Sequence, residues 1–368
     1  MTDVTLHALD VAQHDGAALL DELRTALTRY VVFPTPEAAD AVTLWIAASH
    51  GQAAWEHAPR LAAVSPEKRC GKSRLMDVAE ATCRRPMVTV NISPAALVRS
   101  IAEDDPPTLF IDEADTIFGP KASDNHEDLR GIVNAGHQRG RPYLRYDITT
   151  RSVENMPTFC MVCLAGIGDL PDTIMDRAIV VRMRRRSPGE QVAPFRTRRD
   201  GPPLRDLGDR LSGWVAANLA RLRDAVPEMP LEDRAADTWE PLIAVADLAG
   251  GPWPGRSHKA ALLLIAAENA ADAEASLGAR LLADIRDTFR DWTVSFMTSQ
   301  DLLMALRKID DAPWREIDLS TRALADRLRP YGVKPRPNSA GSARGYRLED
   351  LAEPISRYVS ARESHETA

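Results

Sequence analysis

Apolar residues come in short runs through the first half of the chain and in wider-spaced stripes through the second. The runs are RLAAV at 60–64, PMVTVNI at 86–92, TLFI at 108–111, TFCMVCLA at 158–165 and AIVVRM at 178–183. Each is too short for a core helix and shows little polar alternation, so each predicts a strand buried on both faces. Helical stretches lie between them. In GKSRLMDVAEATCRR, Leu75, Val78, Ala79 and Thr82 fall near one face, and Pro86 stops the helix. Buried strands alternating with helices predict an α/β fold, a parallel sheet covered on both sides. Near the N-terminus, EAADAVTLWIAASHG predicts a helix in which Trp45 and His50 pack or cap. From 204 to 290 the spacing is helical, most clearly in LRDLGDRLSGWVAANLARLRDA. Residues 140–157, GRPYLRYDITTRSVENMP, hold two strand-like runs around Thr149-Thr150 and predict a β-hairpin. The last part predicts a helix in TSQDLLMALRKI, another capped by Ser320 in STRALADRLRPYGV, a strand in RGYRLEDL and a final helix. The expected divisions are a helical N-terminal region over 1–55, an α/β core over 56–200, a helical region over 201–292 and a small domain over 293–368.

One junction between strand and helix carries chemistry. Residues 64–75 read VSPEKRCGKSRL and contain Gly71-Lys72-Ser73. Backbone N–H groups and a helix N-terminus at such a junction surround a phosphate. The lysine reaches the outer phosphates, and the hydroxyl holds magnesium. Arg69, Gly71, Lys72, Ser73 and Arg74 are the expected nucleotide-binding set. Pro66 stands where the loop's first glycine is expected, and Glu67, Lys68, Arg69 and Cys70 replace the others. Pro66 offers no N–H, while Lys68 and Arg69 add positive charge. Forty residues past Lys72 the strand in PPTLFIDEAD ends in Asp112-Glu113. An acid there would lie beside the phosphate loop, in the crevice at the strand ends. Asp112 joins Ser73 as an expected magnesium ligand, and Glu113 is the expected general base for water. An ordinary strand running into an acidic loop is the alternative; the paired motifs at this spacing favour an ATP site.

GIGDLPDTIMDR, between the last two strand runs, resembles the corresponding segment of AAA+ ATPases. The resemblance implies a P-loop core followed by a helical lid, here 201–292. It also implies that Arg177 acts in trans on the ATP of a neighbouring subunit. A salt-bridged surface arginine is the alternative. The polar residue expected to close the fourth strand is missing, since that slot holds Ala165-Gly166. Asp169 and Asn134 are the candidates to replace it. Arg234, at the start of a lid helix, matches an arginine that touches the γ-phosphate; its alternative is a pair with Asp233 or Asp237. More widely, residues from about 30 to 270 resemble a poorly characterised family of bacterial and phage P-loop ATPases. The shared motifs read SPEKRCGKSRL, TLFIDEAD, NAGH (134–137) and DRAIVVRM (176–183) here. Association with primase modules of mobile elements is what that resemblance adds, along with ATP and magnesium as cofactors and an oligomer, a hexameric ring by family habit.

Charge narrows the partners. The net charge of −7 over 368 residues excludes a basic nucleic-acid coat, so any nucleic-acid contact is local. The hairpin offers Arg141, Arg145 and Arg151 with Tyr143 and Tyr146; a plain sheet-edge extension is the alternative. Between 320 and 347 stand Arg322, Arg327, Arg329, Lys334, Arg336, Arg344 and Arg347 against Asp326 alone. The order of elements there looks like a winged helix, and Arg327, Lys334, Arg336 and Arg344 are its expected DNA contacts; a protein-interaction module is the alternative. RMRRR (182–186) either lines a subunit interface or is solvated. Cys160 and Cys163, three apart on a strand, point to opposite faces and have no second pair, so core packing is expected rather than metal binding. The acidic N-terminus has no apolar signal region, and no run reaches membrane-span length, so a soluble cytoplasmic protein is expected. The function expected is an ATP-driven DNA helicase or translocase in the replication of a mobile element. Its rivals are a loader or initiator switch that binds DNA without unwinding, and a degenerate ATPase kept as a scaffold.

Overall fold

The computed structural model describes residues 15–89, 92–101, 105–118, 127–147, 151–309, 312–317, 319–338 and 341–359. The chain divides into two compact units, Met1–Ala266 and Ala267–Ala368. The expected helical region 201–292 spans that division.

The first unit opens with helices α1 (Gly16–Tyr30) and α2 (Pro36–Ser49). Asp15 caps the first, its Oδ1 accepting from Ala17 N at 3.0 Å. Thr35 caps the second ahead of Pro36, which suits a first helical turn. The core then alternates: β1 (Arg60–Ser65), α3 (Lys72–Thr82), β2 (Pro86–Thr89), α4 (Pro94–Ile101), β3 (Thr108–Ile111), α5 (Ala114–Phe118) and α6 (Glu127–Ala135). A two-stranded hairpin follows, β4 (Tyr143–Asp147) and β5 (Ser152–Met156), then β6 (Val162–Ile167), α7 (Asp172–Met175) and β7 (Ala178–Arg182). Helices α8 (Thr197–Ala217), α9 (Leu219–Arg223), α10 (Asp233–Ala249) and α11 (Trp253–Trp292) complete the series.

Five strands form one sheet in the order β2-β3-β6-β1-β7, and every pairing is parallel. In β1, β3, β6 and β7 the side chains alternate between two cores, as the two-residue period of a strand requires. Leu61, Ala63, Phe110, Cys163, Ile179 and Val181 join the core that holds α1, α2, α3 and α8. Ala62, Val64, Leu109, Leu164, Ala178 and Val180 join the core under α4, α5 and α6. Burial on both faces explains why β1, β3, β6 and β7 read as unbroken apolar runs; β2 departs from the expectation, because at the sheet edge it is only half covered and Val88 is 49% exposed. The fourth run enters the sheet later than the sequence suggested, at Val162, so Cys160 lies ahead of the strand. Cys160 and Cys163 pack in opposite cores. All four cysteines are free and buried. Burial pushes the Cys83 thiol up to about 12 and Cys160 to about 11. Among the described residues no group of side chains is arranged to hold a metal ion by itself, and no helix is long and apolar enough to cross a membrane.

Arg60 begins β1 with its side chain fully buried. Its guanidinium donates to the carbonyls of Ala58 (2.9 Å), Cys160 (2.6 Å) and Val133 (2.6 Å). Those bonds join three segments at the N-terminal edge of the sheet. Burial lowers its pKa to about 10, which leaves it charged at neutral pH.

The second unit takes the remainder of α11 with β8 (Phe296–Thr298), α12 (Ser299–Leu306), α13 (Thr321–Leu328), β9 (Arg336–Pro337), β10 (Arg344–Arg347) and α14 (Leu348–Tyr358). Its three strands pair antiparallel in the order β8-β10-β9. Ser320 caps α13 as expected, Oγ accepting from Ala323 N at 3.1 Å. Leu281, Ile285, Phe289, Trp314 and Leu324 are among its core residues. Trp314 Nε1 donates to Asp284 at 2.7 Å.

Candidate functional site

After β1 the chain runs through α3 to the far edge of the sheet. After β6 it crosses β1 to reach β7 on the other side. Connections that part in opposite directions leave a crevice at the C-terminal strand ends. A cavity of about 850 Å³ lies there. Gly71 takes φ 88°, a left-handed conformation suited to glycine, and precedes α3 with no side chain capping the helix. The first N–H groups of α3 therefore have no side-chain acceptor and suit an anion. Arg69 also takes a left-handed φ, 67°, unusual for a residue with a side chain. An arginine thus holds a backbone shape for which glycine is the ordinary choice. Lys72 Nζ bonds to Ser65 Oγ and to the Glu67 carbonyl, the latter at 3.4 Å.

Asp112 and Glu113 follow the end of β3 and line the same cavity. Asp112 Oδ1 accepts from Glu113 N at 2.8 Å. Glu113 sits at φ 52°, a strained backbone of the kind that collects at functional sites. Arg69, Gly71, Lys72, Ser73 and Arg74 line the cavity too, so these sequence-predicted residues meet. Arg74 is braced on both sides, with Nη1 2.9 Å from Asp77 and its guanidinium 4.8 Å from the Phe195 ring centre.

Three contributions were not foreseen from sequence. Asp115 lines the cavity, and its Oδ1 accepts from Ile167 N at 3.0 Å. It puts a carboxylate at the end of β6, where the sequence offers only Ala165-Gly166. Asp169 instead pairs with Arg182 at 2.5 Å, and neither it nor Asn134 lines the cavity. An apolar wall comes from Tyr30, Val31 and Val32 at the end of α1 and from residues 192–195, with Tyr30 and Phe195 edge to face at 5.2 Å. Arg186 lines the cavity as well. Asp115 carried a signal, standing in the same acidic quartet as Asp112. The apolar wall carried none, because its halves lie far apart in sequence.

Arg177 and Arg234 meet each other elsewhere. Arg177 precedes β7, at the opposite end of the strands from Lys72. Its Nε donates to His137 Nε2 at 3.1 Å and its Nη1 to the Thr173 carbonyl at 2.5 Å. The other ring nitrogen, Nδ1, faces the Asn134 carbonyl at 2.8 Å. Burial first, and then the charges of Arg177, Arg60 and Arg141, lower His137 to about 4. It is therefore neutral at neutral pH, donating through Nδ1 and accepting through Nε2. Burial and the charge of Arg234 lower the pKa of Arg177. The expectation that Arg234 faces the same nucleotide as Lys72 is not met. Its Nη1 pairs with Asp176 at 3.0 Å, not with Asp233 or Asp237. The cause is packing: α10 rests on α2 and β7, which carries its first turn to a small pocket lined by His57, His137 and Arg177.

In the hairpin, Tyr143 is not free for stacking, since it packs with Met156 against the second core. Arg145 stands opposite Glu154. The other face is apolar and open, with Leu144 62%, Tyr146 59% and Val153 61% exposed. Arg141 and Arg151 are exposed, and Thr149-Thr150 lie outside the described residues. In the second unit the folded chain offsets the basic excess seen between 320 and 347. Arg336 lies 3.1 Å from Asp350, Arg347 3.2 Å from Glu349, and Arg329 pairs with Asp326. Arg344 donates to the Pro335 carbonyl at 3.0 Å. Arg322 and Lys334 are exposed, and Arg327 is half-buried in α13.

Residues 182–358 match a family model described as a protein of unknown function, DUF3631. That match begins past Lys72, Asp112 and Glu113, so it covers a later stretch than the 30–270 suggested by the motifs. An "Uncharacterized 28.9 kDa protein in xis 5'region" of Saccharopolyspora erythraea is 42% identical over 182 residues, 48% of this chain and 68% of the relative. Among solved structures, the apo A form of the NrS-1 C-terminal region aligns over 90% of this chain and 75% of its own, at 11% identity and a TM-score of 0.35. A second structure of that region, 305–718, aligns over the same shares at 12% identity and a TM-score of 0.31. Likeness at this level assigns neither fold nor activity.

Proposed function

We propose that this chain, which belongs to one family with the Saccharopolyspora erythraea protein, is a magnesium-dependent ATPase of AAA+ type that works on DNA. The observation that carries the reading is the convergence of four parts in one cavity: the uncapped start of α3, Lys72, Ser73 and the pair Asp112-Glu113. Bound ATP with magnesium would supply the phosphoryl group and the charge that orders it. The chain's own part follows from its geometry. The N–H groups at the start of α3 would donate to phosphate oxygens, and Lys72 would exchange its bonds to Ser65 and Glu67 for the outer phosphates. The Ser73 hydroxyl and the Asp112 carboxylate would hold the metal shell. Glu113 would take a proton from the attacking water, with Asp115 fixing the neighbouring end of β6. The apolar wall of Tyr30, Val31 and Phe195 suits a base. Arg177 cannot reach this cavity within one subunit, which favours the reading that it serves a neighbour in an oligomer.

The DNA part rests on the exposed hairpin arginines, on Tyr146 and on Arg322 and Lys334, and the relative's name puts that protein in an xis region. The expected winged helix belongs to this proposal also, as the reading of three antiparallel strands with α12, α13 and α14. The reading extends to a translocase serving a mobile element, with a primase as a partner of the expected kind. Titration with a fluorescent ATP analogue tests the core of it. Binding that requires magnesium and is lost in Lys72→Ala supports the reading; equal binding by Lys72→Ala refutes it.

A further inference from the structure

Residues 183–195 form a strap from the end of β7 to the start of α8, and the strap is tied down along its length. Met183 N donates to the Val64 carbonyl at 2.7 Å, extending the pairing of β7 with β1. Arg184 is bidentate to Glu190 at 3.0 and 2.6 Å, and Glu190 also accepts from Ser187 N at 2.8 Å. Arg185 reaches Glu67 in the phosphate loop at 2.7 Å. Ala193 N donates to the Arg29 carbonyl at 2.9 Å, which fixes the far end against α1. Of three consecutive arginines, two are held by carboxylates. The third, Arg186, has no hydrogen-bond or ion-pair partner among the described residues, and its side chain lines the cavity with Lys72, Ser73 and Glu113.

Glu190 feels the charge of Arg186 without bonding to it; a guanidinium left without a hydrogen bond in the cavity that holds Lys72 and the helix N-terminus suits one ligand chemistry, a polyanion with terminal phosphate oxygens. Arg234, the residue expected to supply a second cation from the same subunit, is committed to Asp176 in another pocket. We propose that Arg186 is the phosphate-binding arginine acting in cis, and that it contacts the outermost phosphate of a bound nucleoside triphosphate. The assignment rests on the nucleotide reading above. It makes the strap a sensor of the phosphate chain, since Arg186 sits one residue from the tie to Glu67 and four before Glu190, where the Ser187–Glu190 turn closes.

The test is magnesium-dependent binding of fluorescent ATP and ADP analogues to the full chain, using wild type and the Arg186→Ala, Arg186→Lys, Arg234→Ala and Lys72→Ala variants. Expected is a loss of about tenfold or more in ATP affinity for Arg186→Ala, ADP affinity nearly unchanged, and partial recovery in Arg186→Lys. Arg234→Ala should bind both nucleotides as the wild type does. Arg186 is exposed, so its truncation removes no core contact. Wild-type ATP affinity in Arg186→Ala, with binding lost in Lys72→Ala, would overturn the assignment and leave the nucleotide reading standing. No binding by wild type would remove both.

Discussion

Gly136, in NAGH, shows how a single atom can set a local structure. A Cβ built there would sit 2.1 Å from the Thr158 carbonyl oxygen, which belongs to backbone and cannot swing away. Gly136→Ala should therefore destabilise the first unit by about 1–3 kcal/mol, read as a lower urea midpoint; an unchanged midpoint would mean the segment before β6 shifts freely. His50 sets a pH dependence. Its ring is buried, Nε2 faces the Thr82 carbonyl at 2.9 Å, and burial lowers its pKa from 6.5 to about 4. Below about pH 6.5 the unfolded chain takes up a proton that the folded chain refuses. Stability thus falls as pH drops from 6.5 toward 4, with a slope of up to about 1.4 kcal/mol per pH unit from this residue. Urea unfolding at pH 7 and pH 5 should show the fall, and His50→Gln should reduce it, leaving the part that His137 contributes in the same direction. Thiol reactivity gives a third check at this scale. With thiols buried and held protonated, native protein should resist alkylation at Cys83, Cys160 and Cys163 over the time in which urea-unfolded protein is fully labelled. Rapid native labelling of Cys163 would contradict the packing of β6.

At the scale of elements, the sequence was most readable where local chemistry decides. Ile111-Asp112-Glu113 marks a strand end because an apolar run meets charge, and Gly71 marks a helix start because only glycine takes φ 88° at no cost. Asp115 was harder, since its bond to Ile167 depends on which strand neighbours β3. Arg234 was misread for a similar reason: a helix-start arginine can be recognised locally, but the packing of α10 on α2 decides what it faces. The apolar wall joins residues near 30 with residues near 195, a contact no local pattern encodes. The hairpin was legible as two strands, and its faces were not. Its register puts Tyr143 into the core and leaves Tyr146 outside. Tyr146→Ala should weaken single-stranded DNA binding by about 1–3 kcal/mol if the hairpin stacks on bases, with thermal stability unchanged. Unchanged DNA affinity would assign the open face of Leu144, Tyr146 and Val153 to something other than bases.

Across the whole molecule, the parallel sheet separates two kinds of site. The C-terminal strand ends gather the cations and carboxylates suited to a metal–triphosphate. The N-terminal ends gather Arg177 with His137, and Arg177 cannot meet that cavity in the same chain. Such a division makes sense in an assembly where one subunit completes its neighbour's site. The measurement that tests this account most directly is ATP hydrolysis by the purified chain beside its Glu113→Gln variant, each with and without single-stranded and double-stranded DNA. The account requires magnesium-dependent turnover by wild type, raised by DNA, and a loss of about 10²–10⁴-fold in Glu113→Gln with nucleotide binding retained. No turnover in any condition, or equal turnover by the variant, would contradict it and favour the scaffold reading.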